Sequence, residues 1–362
     1  MKKSVLFGAL ALTASIFADG DIAAQMKSDN KMMDQKTMNN MVTLTSARPE
    51  SDNGWYLFAD ALYWHADIGN SEWARTFDDV TATIITGDLH SVDFKWDWGF
   101  RVGIGANIDH DMWDSNFYFT WFRTKSSPST RTPIAGAVIN LVTVLNVNTN
   151  QFITGKNETT IDYNMFDWEL GRWYYVSKSV AIRPHVGVKG GWIHQDVDAT
   201  FTYGSPTEPT TSKGGLDNKF WGVGPSGGVN MLWVLGNAGA RNEHRFSLFG
   251  DFAGALLYGH FDVDHKETSV NTTGVPTSGW LLGDLNCNHA VPVLQTQLGL
   301  AWDTSFNNNR NHFMFKLGYE FQYWFRQNQQ VVPTLGELNY AYRRISGDLA
   351  LQGLTVDFRF DF

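Results

Sequence analysis

Val92-Asp93-Phe94-Lys95-Trp96-Asp97-Trp98-Gly99-Phe100-Arg101-Val102-Gly103-Ile104-Gly105-Ala106-Asn107-Ile108 alternates without a break. Every even position is apolar, and every odd position is charged, glycine or amide. Side chains on a strand point to opposite faces in turn, so the stretch predicts one strand with a face suited to hydrocarbon and a face suited to water. A soluble antiparallel sheet with one buried face produces the same alternation. The remainder of the chain has to separate the two.

Carried outward from this strand, the same period-2 test finds nine more from Gly54 onward. The first places Trp55, Leu57, Ala59, Ala61 and Tyr63 outward and Asp60 inward. Further strands centre on Trp113–Trp121, Phe166–Gly171, Val180–Trp192, Phe220–Leu235, Arg245–Tyr258, Leu294–Asp303, His312–Arg326 and Gly353–Phe362. Short connections fall near 109–112, 175–179, 236–244 and 304–311. Long polar ones fall near 65–91, 124–159, 196–218, 262–288 and 327–347. Outer-membrane barrels have this asymmetry of short periplasmic turns and long external loops. The expected fold is all-β: a transmembrane antiparallel up-and-down barrel of at least ten strands, with 10–12 favoured. Val138 to Val147 could add a hairpin or fold inward. Pro225, mid-strand among glycines, predicts a bulge or kink because proline cannot donate to the ladder.

Three features favour lipid over a soluble core. The apolar faces carry almost no ionised residue, Arg172 being the exception, near a turn where it can snorkel. Trp and Tyr recur near strand ends, as in interfacial girdles: Trp55 and Tyr63, Trp113 and Trp121, Trp221 and Trp233. The opposite faces hold too many charges for a dry core. A secreted sandwich or propeller remains the alternative.

The 362-residue chain is 14% aromatic, with 15 Trp and 34 Gly, and its mean hydropathy of −0.26 argues against a helical membrane protein. The formal net charge of −9, with no basic stripe, argues against a nucleic-acid partner. A lone Cys287 excludes an intrachain disulfide framework and reads as a thiol in a polar loop. Lys2 and Lys3 before an apolar run ending at Ala18 have the layout of a secretory signal peptide over 1–18. The Met-rich segment 19–53 reads as a flexible or weakly helical periplasmic leader. The barrel then occupies 54–362.

The blocks Phe166-Asp167-Trp168-Glu169-Leu170-Gly171-Arg172, Phe220-Trp221-Gly222-Val223-Gly224-Pro225, Ser247-Leu248-Phe249-Gly250-Asp251-Phe252-Ala253-Gly254-Ala255-Leu256-Leu257-Tyr258-Gly259, Gly318-Tyr319-Glu320-Phe321-Gln322-Tyr323-Trp324 and Leu351-Gln352-Gly353-Leu354 resemble the Legionella-type major outer membrane protein family, also found in chlamydia-related bacteria. The resemblance spans about Gly54 to Phe362 and implies a pore-forming barrel of the bacterial outer membrane. Its motifs are structural and imply no catalytic residue. The poverty in cysteine departs from the crosslinked porins of true chlamydiae, so disulfide-stabilised walls are not expected.

The expected role is a porin passing small hydrophilic solutes or ions. The lumen-facing candidates are Asp93, Lys95, Asp97, Arg101, Arg183, His185, Lys189, Arg245, Asp251, Lys316, Glu320, Asp357 and Arg359. Both signs are present, which predicts weak charge selectivity. The same charges could instead pair with one another and fill a narrow barrel, since ten strands enclose little space. A structural barrel or an adhesin acting through its long loops is the competing class. An outer-membrane hydrolase is a weaker alternative, because the histidines are scattered and lack a nucleophile motif. His260 and His265 with Asp262 and Asp264 read as a solvated loop rather than a metal site. No cofactor is expected. The expected partners are outer-membrane lipid, small solutes and the barrel assembly machinery, the last through the C-terminal strand ending at Phe362; a homo-oligomer stays open.

Overall fold

A computed structural model describes residues 54–78, 86–108, 112–132, 137–140, 152–203, 210–238, 244–270, 276–306, 311–335 and 340–362. The signal peptide and leader expected over 1–53 lie outside the described residues. Ten long strands form the wall: β1 (Trp55–Ile68), β2 (Asp97–Ile108), β3 (Trp113–Ser126), β4 (Phe152–Arg172), β5 (Val180–Tyr203), β6 (Thr210–Ala238), β7 (His244–Val270), β8 (Pro276–Phe306), β9 (Asn311–Leu335) and β10 (Tyr340–Asp361). Each pairs antiparallel with its sequence neighbours. β1 also pairs with β10, from Tyr56 opposite Asp361 to Ile68 opposite Leu349, and so closes the barrel. Closure leaves no unpaired strand edge around the lipid-facing belt, the condition for crossing hydrocarbon with strands; beyond the belt β8 pairs with β9 only from Val293 to Phe306. No helix among the described residues is long and apolar enough to cross a membrane.

The alternation that predicted the wall is realised on β2. Trp98, Phe100, Val102 and Ile104 are exposed outward, Trp98 at 66%, while Arg101 is buried inward. The outward belt continues around the barrel through Phe117, Trp168, Val188, Trp221, Leu248, Leu298, Leu317 and Phe358. These side chains contribute no core, and lipid is the solvent that accepts them. Arg172 lies at the short-turn end of β4, against the Trp113 ring (5.9 Å) and the Tyr174 ring (5.0 Å).

Strand length is where the expectation changes most. Strands run from 12 residues in β2 to 31 in β8, whereas ~9–11 residues cross a bilayer. The long loops expected near 196–218 and 262–288 are continuous strand up to Tyr203 and Val270 and again from Thr210 and Pro276. Likewise β4 already begins at Phe152, and β9 continues to Leu335. Outside the bilayer both wall faces can be polar, so the hydrophobic alternation fades there although the ladder persists. The outward face changes accordingly. Arg123 meets Asp162 at 3.1 Å, Lys125 meets Glu158 at 2.5 Å, and Lys219 meets Asp217 at 2.7 Å. The hydrogen bond from Lys125 holds the Glu158 carboxyl below its usual range.

Several local expectations are corrected. Val92 to Trp96 is not strand; β2 begins at Asp97. Phe94 turns inward and is buried in the core, which sends its neighbours Asp93 and Lys95 to the surface. At Pro225 the β6–β7 pairing skips two residues but keeps its register, and the shift falls at Val234/Gly236 instead. Pro225 points outward, opposite Val188 of β5. Of the segment Val138 to Val147, residues 141–147 lie outside the described residues, and Ala137–Asn140 takes the inward alternative. It pairs with the short strand Glu72–Phe77 and buries Val138 among Trp73, Phe152 and Phe201. Cys287 is not in a loop; it lies on β8, half-buried against the interior apolar cluster. His260 and His265 lie on β7, on opposite faces.

The lipid-facing reading makes a quantitative prediction. Leu298→Arg, in the middle of the belt, should destabilise the barrel by ~2–4 kcal/mol, read as a lowered urea midpoint in lipid vesicles. An unchanged midpoint would mean that Leu298 does not face acyl chains.

Candidate functional site

The lumen is layered along the barrel axis, and each layer follows from the inward residues of the strands. Nearest the short turns it is ionic. Arg101 of β2 donates to Asp60 of β1 at 3.1 Å, to Glu320 of β9 at 2.8 Å and to Thr120 of β3 at 3.1 Å. Glu320 also accepts from Gln295, Gln322 and Thr355. Arg183 of β5 donates to Asp114 at 2.5 Å, Glu169 at 3.1 Å and Asn230 at 2.6 Å. Gly171 makes room for it: a Cβ there would meet the Arg183 guanidinium at 2.5 Å. His185 sits 3.7 Å from Glu169, and Lys189 binds Asp167 at 2.9 Å. At the rim, Arg245 holds Asp303, His312 bridges Asp303 and Asp361, and Arg359 holds Asp361 while lying 3.6 Å from the Tyr56 ring. Asp251 accepts from Asn230 at 2.9 Å, Asp357 accepts from Gln297 at 3.2 Å, and Lys316 lies 5.0 Å from the Phe249 ring. Asp60, Arg101, Glu169, Arg183, His185, Asp251, Lys316, Asp357 and Arg359 are the charged lining of a chamber of about 190 Å³ in this layer.

Arg101, Arg183, His185, Lys189, Arg245, Asp251, Lys316, Glu320, Asp357 and Arg359 therefore all sit inside, at this end of the barrel. Asp97 also points inward, but at the outer end of β2, where it accepts from Thr124 at 2.5 Å. Asp93 and Lys95, expected in the lumen, are on the outer surface; the Asp93 side chain is 91% exposed. Asp93 therefore does not join Asp97 and Arg101 on the inward face, because Val92 to Trp96 lies outside the strand.

Above the ionic chamber lies an apolar layer that the sequence reading did not single out. Trp64 of β1 contacts Phe122 of β3 at 5.6 Å and Tyr163 of β4 at 6.5 Å between ring centroids. Tyr163 contacts Trp324 of β9 at 5.7 Å, Trp324 contacts Phe220 of β6 at 6.3 Å, and Phe220 contacts Phe261 of β7 at 4.9 Å. Four of these five pairs join strands that are not neighbours in the wall, so the aromatics meet across the interior. Tyr163 also donates to Gln322 at 2.9 Å, again across the lumen. Leu62, Ile161, Met165, Ile193, Leu257, Val291 and Leu351 complete the layer. The signal was available. These residues share the inward parity of Asp60, Asp167, Lys189 and Glu320, so a run of apolar residues at that parity marks a dry section of the lumen.

A profile described as Legionella pneumophila major outer membrane protein precursor matches residues 47–362. No curated protein matches the chain by sequence. Among solved structures, the outer membrane protease OmpT from Escherichia coli aligns at 8% identity, covering 88% of this chain and 100% of its own, with a TM-score of 0.39. The translocator domain of autotransporter NalP from Neisseria meningitidis aligns at 10% identity, covering 95% and 99%, with a TM-score of 0.29. The toluene transporter TodX from Pseudomonas putida aligns at 8% identity, covering 89% and 93%, with a TM-score of 0.25. These likenesses are too distant to bear on function.

The ionic layer predicts that its members are mutually dependent. Removing one partner of a buried pair costs ~3–5 kcal/mol, because the other charge is left uncompensated. Arg183→Met should lower the urea midpoint by about that much, and adding Asp114→Asn should recover part of the loss. A single variant as stable as the parent would show that Asp114 and Glu169 do not need the guanidinium.

Proposed function

The chain belongs to the Legionella pneumophila major outer membrane protein family, a family of the outer membrane, and we propose that it is a narrow, gated porin for small hydrophilic solutes or ions. The observation that carries this reading is the ionic chamber, lined by charges of both signs and separated from the outer mouth by the aromatic layer. A polar chamber is a place for water and solute. A hydrophobic constriction above it can gate by dewetting, shut when dry and conducting when it fills. Arg101, held by Glu320, sets the field at the end of the chamber next to the aromatic layer, and Trp64, Tyr163 and Trp324 form the gate. Because nearly every cation here has a carboxylate partner, the expected selectivity is weak. The reading is non-catalytic: the charged side chains hold one another and the wall.

A second reading is favoured by the aromatic contacts across the lumen. A barrel held shut by such packing could serve as a structural outer-membrane protein that acts through its external face.

Planar-bilayer recording of the purified protein separates the two. Under the porin reading, the parent protein gives infrequent small current steps. Trp64→Ala combined with Trp324→Ala gives longer openings of several-fold larger conductance, and a salt gradient gives a reversal potential near zero. If both proteins leave the bilayer silent while heat-dependent gel mobility shows folded barrels, the porin reading is lost and the structural one stands.

A further inference from the structure

Beyond the aromatic layer, on the side of the long strand extensions, the lumen opens into a second cavity of about 240 Å³. Its chemistry differs from that of the inner chamber. Its walls include Asn157 of β4, Gln195 of β5, His265 of β7 and Asn328 and Gln330 of β9; Trp73 of the short strand Glu72–Phe77 folds over it. Ile68, Val197, Leu216 and Val331 supply apolar wall. The amides are fixed. Gln195 donates to Gln327 across the lumen at 2.5 Å, and Asn328 donates to the Gly69 carbonyl at 2.9 Å. The indole of Trp73 is held between the rings of Phe201 (6.0 Å) and His90 (6.1 Å).

Three lining side chains are buried yet incompletely used. Asn157 donates to Thr159 at 3.1 Å, but its Oδ1 has no partner among the described residues. His265 engages Glu267 through Nε2 at 2.8 Å, and its Nδ1 has none. The Trp73 Nε1–H likewise lacks an acceptor. Their exposures are 0%, 2% and 1%. A buried polar group without a partner is destabilising, and three around one cavity are what a bound polar molecule would relieve.

We propose that this outer cavity is a binding site for a neutral, polyhydroxylated small molecule of about monosaccharide size, entering from the external side. The charge pattern excludes the ionic classes. Among the described residues, no unpaired cation lines the cavity to hold an anion, and the one lining carboxylate, Glu72, is exposed. A hydroxyl both donates and accepts, which matches a wall offering an indole N–H, an amide oxygen and an imidazole nitrogen. At ~30 Å³ per water in the liquid, the volume holds several waters or one small hydroxylated ring.

Equilibrium dialysis of the full chain in detergent micelles against radiolabelled D-glucose, with D-glucuronate and D-glucosamine as competitors, tests this. Saturable glucose binding is expected, with the charged sugars competing at least tenfold more weakly. Trp73→Phe keeps an aromatic six-membered ring but removes the N–H with the rest of the five-membered ring, and should weaken binding about tenfold, as should Asn157→Ala. Lys213→Ala, on the outward face of β6, should leave it unchanged. Absence of saturable binding by the folded parent protein would mean that ordered water alone fills the cavity and would overturn the proposal. So would a Trp73→Phe variant that binds like the parent, or glucuronate competing as well as glucose. Binding is read without current, so a silent bilayer in the conductance experiment leaves this result standing or falling by itself.

Discussion

An ionised side chain inside a ten-stranded barrel is cut off from lipid by the wall and from bulk water by its neighbours, and everything in the inner half of this lumen answers to that constraint. Arg101 shows the solution. It reaches Asp60 next door and Glu320 three strands away, and Glu320 in turn collects Gln295, Gln322 and Thr355. The desolvation of such groups is offset only when geometry supplies nearly every lone pair and proton with a partner. These bonds also tie opposite walls together, so the ionic layer is as much a brace as a lining.

The aromatic layer is the complementary device. Where the inward residues lose their charge, the lumen is closed by rings that meet edge-on or tilted across the axis, from Trp64 through Tyr163 and Trp324 to Phe261. Such contacts add to the burial of their area and exclude water. The barrel thus has an inner, ionic compartment and an outer, amide-rich one, with a dry partition between them. Any passage of solute has to be explained as an event at that partition rather than as diffusion through a standing hole.

The wall was legible because membrane and water impose opposite demands on alternate residues, and β2, β9 and β10 satisfy them over most of their lipid-facing lengths. The parities of Asp60, Arg183, Lys189, Glu320 and Arg359 could be read directly for the same reason. What escaped reading lies where those demands lapse. In Lys213 to Asn218, and again in Asp262 to Ser269, both faces tolerate polar residues, so the strands run on without a hydrophobic signature. At Val92 to Trp96 the alternation is present but serves a loop whose Phe94 dips inward, which reverses the expected positions of Asp93 and Lys95. The partition was hidden for a different reason. Parity tells which side a residue faces, whereas the distance across the lumen between Tyr163 and Trp324 depends on the curvature of the whole barrel.

The extended hairpins of β5 to β8 have a further consequence. At ~3.3 Å per residue, β8 is roughly three times as long as a bilayer crossing requires, so much of it forms a hydrogen-bonded collar standing above the lipid. In that collar only every second side chain meets the surroundings of the cell; its neighbours are turned into the barrel. Substitutions that an antibody or phage could sense without disturbing the interior should therefore follow a two-residue rhythm along these strands, rather than the unbroken runs of variation found in flexible loops.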